Sequence, residues 1–367
     1  MNVFLIAVRN LFGEKGRLFI TAGGVAFSVA LILVLVGLYQ GWSAQMTRFL
    51  GSIDTDFWVG QKGSRDASHS ISILPLSTKG DLANQALVSE VSQFTGRQAA
   101  FKKGDKETHL FLVALDSEKL IKPYGIVEGK AYPADNEIII DKTAAKESNI
   151  KVGDKISLNN TDMTVSGISS GGNIMIYSYA FANQKTTEKV LQFQGFTNYF
   201  LVKTSNPSNF QKNLSKEMPN LEIIKKDDFL NNNSDTVRET FLPIIGVLTL
   251  IAIMVGVAVI GLTIYTATLE KSREFGVLKA IGYTNGQLFL IGLIQSFISG
   301  IIGFLFGVVL AFAIAYLAMQ SVPSFIFEIS WIEITLVFAS TFVMCLIAIF
   351  IPLKRLFSID PANIFKA

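Results

Sequence analysis

Residues Leu18–Leu38 read LFITAGGVAFSVALILVLVGL, a run of apolar and small residues with no charge, set between Arg17 and Arg48. About 20 such residues, at a helical rise of roughly 1.5 Å each, cover the ~30 Å of hydrocarbon in a bilayer. The run exceeds the ~7–15 apolar residues of a cleaved signal peptide, and charges precede it, so an uncleaved anchor is expected. Three more charge-free stretches lie further along: Thr240–Leu269, Ala280–Phe327 and Ile334–Leu353. The middle one is too long for a single span and must include an exit loop around Pro323. Pro243 stands near the start of the second span, where its missing N–H does least harm. The chain therefore reads as a polytopic α-helical membrane protein with four transmembrane helices, at 18–46, 240–269, 288–320 and 334–353. Between and beyond them lie segments 1–17, 47–239, 270–287, 321–333 and 354–367.

Composition agrees. Half of the 367 residues are hydrophobic and 17% are charged, against about a quarter charged in soluble domains. The mean hydropathy is +0.43. A single cysteine, Cys345, excludes a disulfide framework or a Cys-based zinc site within one chain. Two histidines, His69 and His109, leave little imidazole chemistry, and no metal site is expected. No Asp, Glu, Lys, Arg or His falls inside a span. Ion-coupled carriers usually keep such a group there, and intramembrane hydrolases need one beside a nucleophile. With no G-x-x-x-x-G-K-[ST] loop either, no catalytic residue is assigned and the chain is not read as an enzyme.

Charge sets the orientation. Arg9, Lys15, Arg17, Lys271, Arg273, Lys279, Lys354, Arg355 and Lys366 flank the spans on one side, and the 321–333 loop has only Glu328 and Glu333. The positive-inside rule places both termini and the 270–287 loop in the cytoplasm. Segment 47–239 is then extracytoplasmic. It carries 23 basic and 23 acidic residues, so the net charge of +3 is a topology signal and no nucleic-acid partner is implied.

Segment 47–239 is too long and too rich in apolar strands to be a linker. Strands are expected at Asp56–Val59, Leu110–Leu115, Glu137–Ile140, Lys155–Leu158, Met163–Ile168 and Tyr199–Val202, and a short helix at Thr143–Ser148. Turns are expected at Val152-Gly153-Asp154 and Asn159-Asn160. The result is one α+β domain between the first and second spans, in one or two lobes, with a polar, mobile loop at Gly60–Ser72. At the N-terminus, Phe4, Val8, Leu11 and Phe12 share a helical face. Residues 1–17 read as a cytoplasmic interfacial helix, or as an extension of the first span.

Small residues recur every fourth position in the third span: Ser299, Gly303, Gly307, Ala311 and Ala315, with a second row at Gly292, Ser296 and Gly300. This spacing lets helix backbones approach closely, within one subunit or between two. In the 270–287 loop, Phe275, Leu278 and Ile281 repeat every third residue among Arg273, Glu274 and Lys279. That is a short amphipathic helix suited to a partner's groove, or an ordinary positive-inside loop.

The loop sequence EKSREFGVLKAIG (Glu270–Gly282) resembles the signature of the MacB/FtsX-type permeases of ATP-binding cassette (ABC) systems. NEIIIDKTAAKESNIKVGDKISL (Asn136–Leu158) with TVSGI (Thr164–Ile168) is similar to the extracytoplasmic domain of that group. RLFITAGGVAFSVALILVLVGLYQG (Arg17–Gly41) resembles its first span. SIDPANIF (Ser358–Phe365) resembles its C-terminal motif, with Asp360 capping a helix begun by Pro361. The layout is nearest to the compact DevC-like and haem-exporting permeases. The resemblance implies a permease subunit of the bacterial inner membrane, paired as two copies with two cytoplasmic ATPase subunits that hold ATP and Mg. A periplasmic adaptor is a further possible partner. Arg273, Glu274, Phe275, Gly276, Leu278, Lys279 and Gly282 would form the ATPase-coupling motif, with Gly276 and Gly282 allowing close approach or a helix end.

Three functions fit. The first is export of an amphiphile (a glycolipid, haem or a hydrophobic peptide) through a groove lined by Phe19, Phe27, Tyr39, Phe241 and Tyr265. With haem as cargo, Tyr39, Met46, Tyr265 or His69 would be the candidate ligands; the chain itself binds no cofactor. The second is FtsX-like signalling to an external hydrolase, which needs an exposed apolar patch on the outer domain. The third is lipoprotein release.

Overall fold

The computed structural model describes residues 2–67, 70–103, 106–115, 121–174 and 177–357. The chain divides into two units: residues 1–40, 241–321 and 326–367, and residues 41–240 with 322–325.

The first unit is helical. It contains α1 (Val3–Gly13), α8 (Ser272–Ala280), α9 (Asn285–Ser321) and α10 (Trp331–Phe357). It also holds most of α2 (Lys15–Ser52) and of α7 (Lys226–Glu270). Four helices, α2, α7, α9 and α10, are long and apolar enough to cross a membrane. Three of them outrun their charge-free stretches, α10 by reaching from Trp331 to Phe357. Helix α2 continues past residue 46 to Ser52, and α7 begins at Lys226 rather than near 240. Pro243 consequently sits inside α7, where it leaves the carbonyl four residues back, at Glu239, without its helical donor.

The small-residue rows resolve into two intramolecular seams. A Cβ added at Gly303 would lie 2.6 Å from Val25 Cβ and 2.8 Å from the Ala22 carbonyl. At Gly307 it would lie 2.7 Å from Val29 Cβ and 2.8 Å from the Ala26 carbonyl. Ser299, Ala311 and Ala315 continue this row, all buried, with the Gly303–Gly307 stretch lying backbone to backbone on α2. The second row faces α10: Gly292 meets Ile349, Gly300 meets Cys345, and the Ser296 hydroxyl donates to the Cys345 carbonyl at 3.1 Å. Phe304, Phe338, Phe342 and Phe297 stack between α9 and α10 with centroids 4.8–5.0 Å apart.

The second unit is an α+β domain with two main sheets. One is four-stranded and antiparallel, in the order β13 (Leu221–Lys225), β1 (Phe57–Gln61), β12 (Tyr199–Thr204), β3 (Val88–Phe94). Alternation along β1 sends Phe57 and Val59 to one face, against Leu82 of α3 (Thr78–Ala83) and Phe210 and Leu214 of α6 (Pro207–Glu217). Trp58 points to the other face and stacks on Phe229 of α7 at 4.2 Å.

The other sheet runs β4 (Gly96–Lys103), β5 (Lys106–Leu115), β10 (Ser178–Asn183), β7 (Glu137–Asp141), β9 (Thr161–Ser169), β6 (Ile126–Gly129), with β8 (Lys155–Leu158) paired to β9. It is mixed: β5–β10 and β7–β9 are parallel. Its core includes Ala144 and Ala145 of α4 (Lys142–Glu147) and Val190 of α5 (Gln184–Leu191). On β10, Ala180 and Ala182 face that core, while Tyr179 and Phe181 receive Phe49 of α2 at 4.6 and 5.1 Å. Thus each sheet takes one aromatic from a long helix, Phe49 from α2 and Phe229 from α7. A third pair, β2 (Leu74–Pro75) with β11 (Phe196–Thr197), lies apart.

Each expected strand falls on a strand, and Asn159-Asn160 turns β8 into β9 with φ of 45° and 63°, the positive pair that a two-residue hairpin requires. The Gly60–Ser72 loop differs from expectation in its described part, where it is tied down. Ser72 Oγ accepts from the Gln61 N–H at 2.9 Å, Ser64 Oγ donates to the Ile71 carbonyl at 3.0 Å, and Asn233 holds the Ala67 N–H at 3.1 Å.

Candidate functional site

The candidate coupling segment folds as a nine-residue helix, α8, between two tight elbows. Its end follows from Gly282. At φ +101° this residue stands just past the last helical turn, donating to the Lys279 carbonyl at 3.0 Å while Tyr283 donates to Leu278 at 3.0 Å. The pair satisfies two carbonyls that a helix end would otherwise leave bare. Four residues then turn the chain into α9. Thr284 and Gln287 cap each other: the Thr284 N–H reaches Gln287 Oε1 at 2.9 Å and the Gln287 N–H reaches Thr284 Oγ1 at 3.3 Å. The T-x-x-Q spacing was the sequence signal for this start.

Helix α8 has an anchored face and an open face. Phe275 and Leu278 are buried, together with Ala7 of α1 and Leu288 and Ile291 of α9. Gly276 is buried too. This corrects the expectation that Phe275, Leu278 and Ile281 project together into a partner: two of the three hold the helix to its own chain. The open face carries Arg273, Glu274, Val277 and Ile281, the last 65% exposed. Arg273, Val277 and Ile281 stand four residues apart and so form one stripe. Lys279 lies beside the end of α10 and donates to the Phe357 carbonyl at 3.0 Å.

Helix α1 is distinct from α2, broken at Glu14, with Asn2 capping its start through the Phe4 N–H at 3.1 Å. Its inward face is Val3, Ile6, Ala7 and Leu11, whereas Phe4, Leu5 and Phe12 are exposed. Of the expected apolar face, Leu11 therefore points inward and Phe4 and Phe12 outward. An ion network joins this region to α8. Arg17 pairs with Glu14 and with Glu270, and Lys271 pairs with Glu14 at 2.8 Å and with Glu274 at 3.8 Å. In the sequence, Arg17 and Lys271 mark topology and Glu274 belongs to the coupling motif; their pairing is visible only in the fold. A shallow recess opens beside them, lined among others by Asn10, Thr21, Thr263, Gln295 and Ser299.

Two family models match the chain. The FtsX-like permease C-terminal model covers residues 246–361, and the MacB-like periplasmic core domain model covers residues 18–215, more than half of the whole. The chain belongs to the MacB/FtsX-type family of ABC permeases. Among curated relatives of this MacB/FtsX-type chain, the macrolide export ATP-binding/permease protein MacB of Sodalis glossinidius is 24% identical over 335 residues, covering 83% of this chain and 51% of that protein. The HrtB permease protein of Staphylococcus epidermidis, named for a hemin transport system, is 24% identical over 332 residues, covering 90% of each. The chain spans about half the length of the MacB relatives it matches. The solved periplasmic region of MacB from Actinobacillus actinomycetemcomitans aligns at 15% identity and TM-score 0.36, covering 53% of this chain and 97% of that one.

The aromatics expected to line a cargo groove are not gathered in this MacB/FtsX-type bundle. Phe19 and Tyr265 lie near the elbow end, where Arg17 meets Glu270, whereas Tyr39 and Phe241 lie far along α2 and α7 from that end. Twenty-odd helical residues separate those levels, about 33 Å. Phe19 and Phe27 are 80% and 58% exposed, and the recess beside the ion network is lined by none of the five. The same distance separates Tyr39 from Tyr265 as shared haem ligands. His69 and the 358–365 motif lie outside the described residues. Among the described residues no cluster of three His, Cys, Asp or Glu could hold a metal.

Proposed function

We propose that this chain is the transmembrane subunit of an ABC exporter of an amphiphilic cargo, working as two copies with two cytoplasmic ATPase subunits on which ATP and Mg reside. The observation that carries the reading is the two-faced α8. Phe275 and Leu278 fix it to its own chain, and the Arg273–Val277–Ile281 stripe is left outward on a short, rigid helix, the form an apolar groove in a partner accepts. The positive-inside distribution supports a cytoplasmic location for that stripe. The export direction rests on the names of the relatives, and the cargo class on the lack of any charge in the spans. Movement of α8 would reach the outer domain along α2 and α7, which run into the α+β unit as unbroken helices.

The test is co-purification of the chain with its co-expressed ATPase. Val277→Asp and Ile281→Asp should each abolish capture of the ATPase while the permease itself remains folded and inserted. Full capture by both variants would remove α8 as the docking element.

A second reading, signalling to an external partner, is favoured by an exposed apolar patch on the α+β domain. Ile71 is 79% exposed, Ile73 40% and Phe196 42%, and Phe196 pairs with Pro75 beside Ile73. Sensitisation of a deletion strain to amphiphiles supports export, and chaining of cells supports signalling.

A further inference from the structure

Glu14 and Lys271 are each the single residue between two helices: Glu14 joins α1 to α2, and Lys271 joins α7 to α8. Their side chains meet at 2.8 Å, with only 26% and 19% of their surfaces exposed. Around them the charges alternate along one line, Glu270, Arg17, Glu14, Lys271, Glu274, with each cation between two carboxylates. Two members come from the α1–α2 elbow and three from the α7–α8 elbow.

We infer that this line is a latch that makes the two elbows move as one body, so that displacement of α8 drives α2 as well as α7. Without it, α8 is continuous only with α7 and α9, and α2 is engaged through side-chain packing alone. Only the inner members Glu14, Arg17 and Lys271 are partly buried, and it is as a network of several charges that such pairs add rigidity. Glu14, Arg17 and Lys271 are thus positioning residues in the coupling path. The inference rests on α8 as the ATPase dock, but it concerns a connection that exists without the ATPase.

The experiment is a double-mutant cycle of Glu14→Gln and Lys271→Gln in the full chain, read in two ways. In the chain alone, spin labels at Lys15→Cys and Ser272→Cys, with Cys345→Ala, report the distance between the elbows. A narrow distribution should broaden in each single variant and broaden no further in the double. With the ATPase present, each single should keep ATPase capture but lower permease-stimulated hydrolysis about fivefold, the double being no worse than the weaker single. Unchanged distance distributions, or single effects that add in the double, would overturn the latch. Failure of the parent chain to capture an ATPase would overturn the docking reading instead, and the distance cycle would still decide the latch.

Discussion

Tyr283 donates its backbone N–H to the Leu278 carbonyl at 3.0 Å, across a glycine at φ +101°, and its ring joins the cluster in which Leu278 is buried. The end of α8 and its anchorage are therefore one structure. Replacing Gly282 forces an L-residue into the left-handed region, at about 1–2 kcal/mol. Thermal unfolding of the purified chain should fall in the order Gly282→Asn, Gly282→Ala, Gly282→Val, with Asn mildest. Equal stability of all three would show that the turn does not need its glycine.

Gly303→Ala places a methyl 2.6 Å from Val25 Cβ and 2.8 Å from the Ala22 carbonyl. Backbone cannot yield as a side chain does, so about 1–3 kcal/mol of destabilisation is expected. Val309→Ala, on an outward position 68% exposed, should change stability by less than about 0.5 kcal/mol. Melting temperatures in one detergent compare the two.

Phe275→Ala empties a buried site between α1, α8 and α9. A loss of about 3–5 kcal/mol is expected, whereas Ile281→Ala, on the open face, should leave stability within about 0.5 kcal/mol. Chemical denaturation followed by intrinsic fluorescence would separate them, and a larger loss at Ile281 would reverse the assignment of faces.

Two carboxylates of β7 should respond oppositely to pH. Burial pushes the Asp141 carboxyl up, against the backbone N–H bonds it accepts from Thr143 and Gly172 at 2.8 Å each. The hydrogen bond from Lys130 holds Glu137 down. A raised folded pKa means the native state binds the proton more tightly. The Asp141 contribution is therefore fully present below the ordinary value of about 4 and declines as pH rises through the raised one. Glu137 contributes above its ordinary value and loses that contribution as pH falls through its lowered one. The stability advantage of the parent over Asp141→Asn should shrink from pH 4 to pH 7, and its advantage over Glu137→Gln should grow. Melting curves at both pH values check the two signs.

Orientation is open to labelling. A membrane-impermeant thiol reagent added to intact cells should modify Asp162→Cys, exposed at the start of β9, and spare Ala280→Cys at the end of α8. The reverse pattern would invert the topology.

Much of the architecture was legible because its cause is local. The absence of charge over twenty residues marks a span whatever surrounds it. The apolar runs of β7 and β12 mark strands buried on both faces. Strands β3 (VSEVSQF) and β4 (GRQAAFKK) were not legible, since their residues have no strong pattern and their pairing is imposed by β12 and β5. The start of α7, KDDFLNNNSDTVRET, is poor in helix formers and is held by the burial of Phe229 and Asn233 in the α+β domain. At the site, periodicity offered α8 as a helix beside the alternative of a plain loop, and the family resemblance offered Gly282 as a close approach or a helix end. Which face turned inward depended on α1, more than 250 residues earlier in the chain. The five aromatics lie at different levels of the helices because composition carries no depth, and helical rise does.

The two seams of α9 also decide what a second copy of the chain can touch. Its smallest surfaces, around Gly303 with Gly307 and around Gly300 with Gly292, are already covered by α2 and α10. What remains outward on the same helix is Leu305, Phe306, Val309 and Leu317, each 59–68% exposed. A neighbour that packs on this outward face of α9 must therefore interlock with bulky, deformable side chains across a wider gap. Such a joint can slide or tilt, while the glycine-lined ones within each copy stay shut.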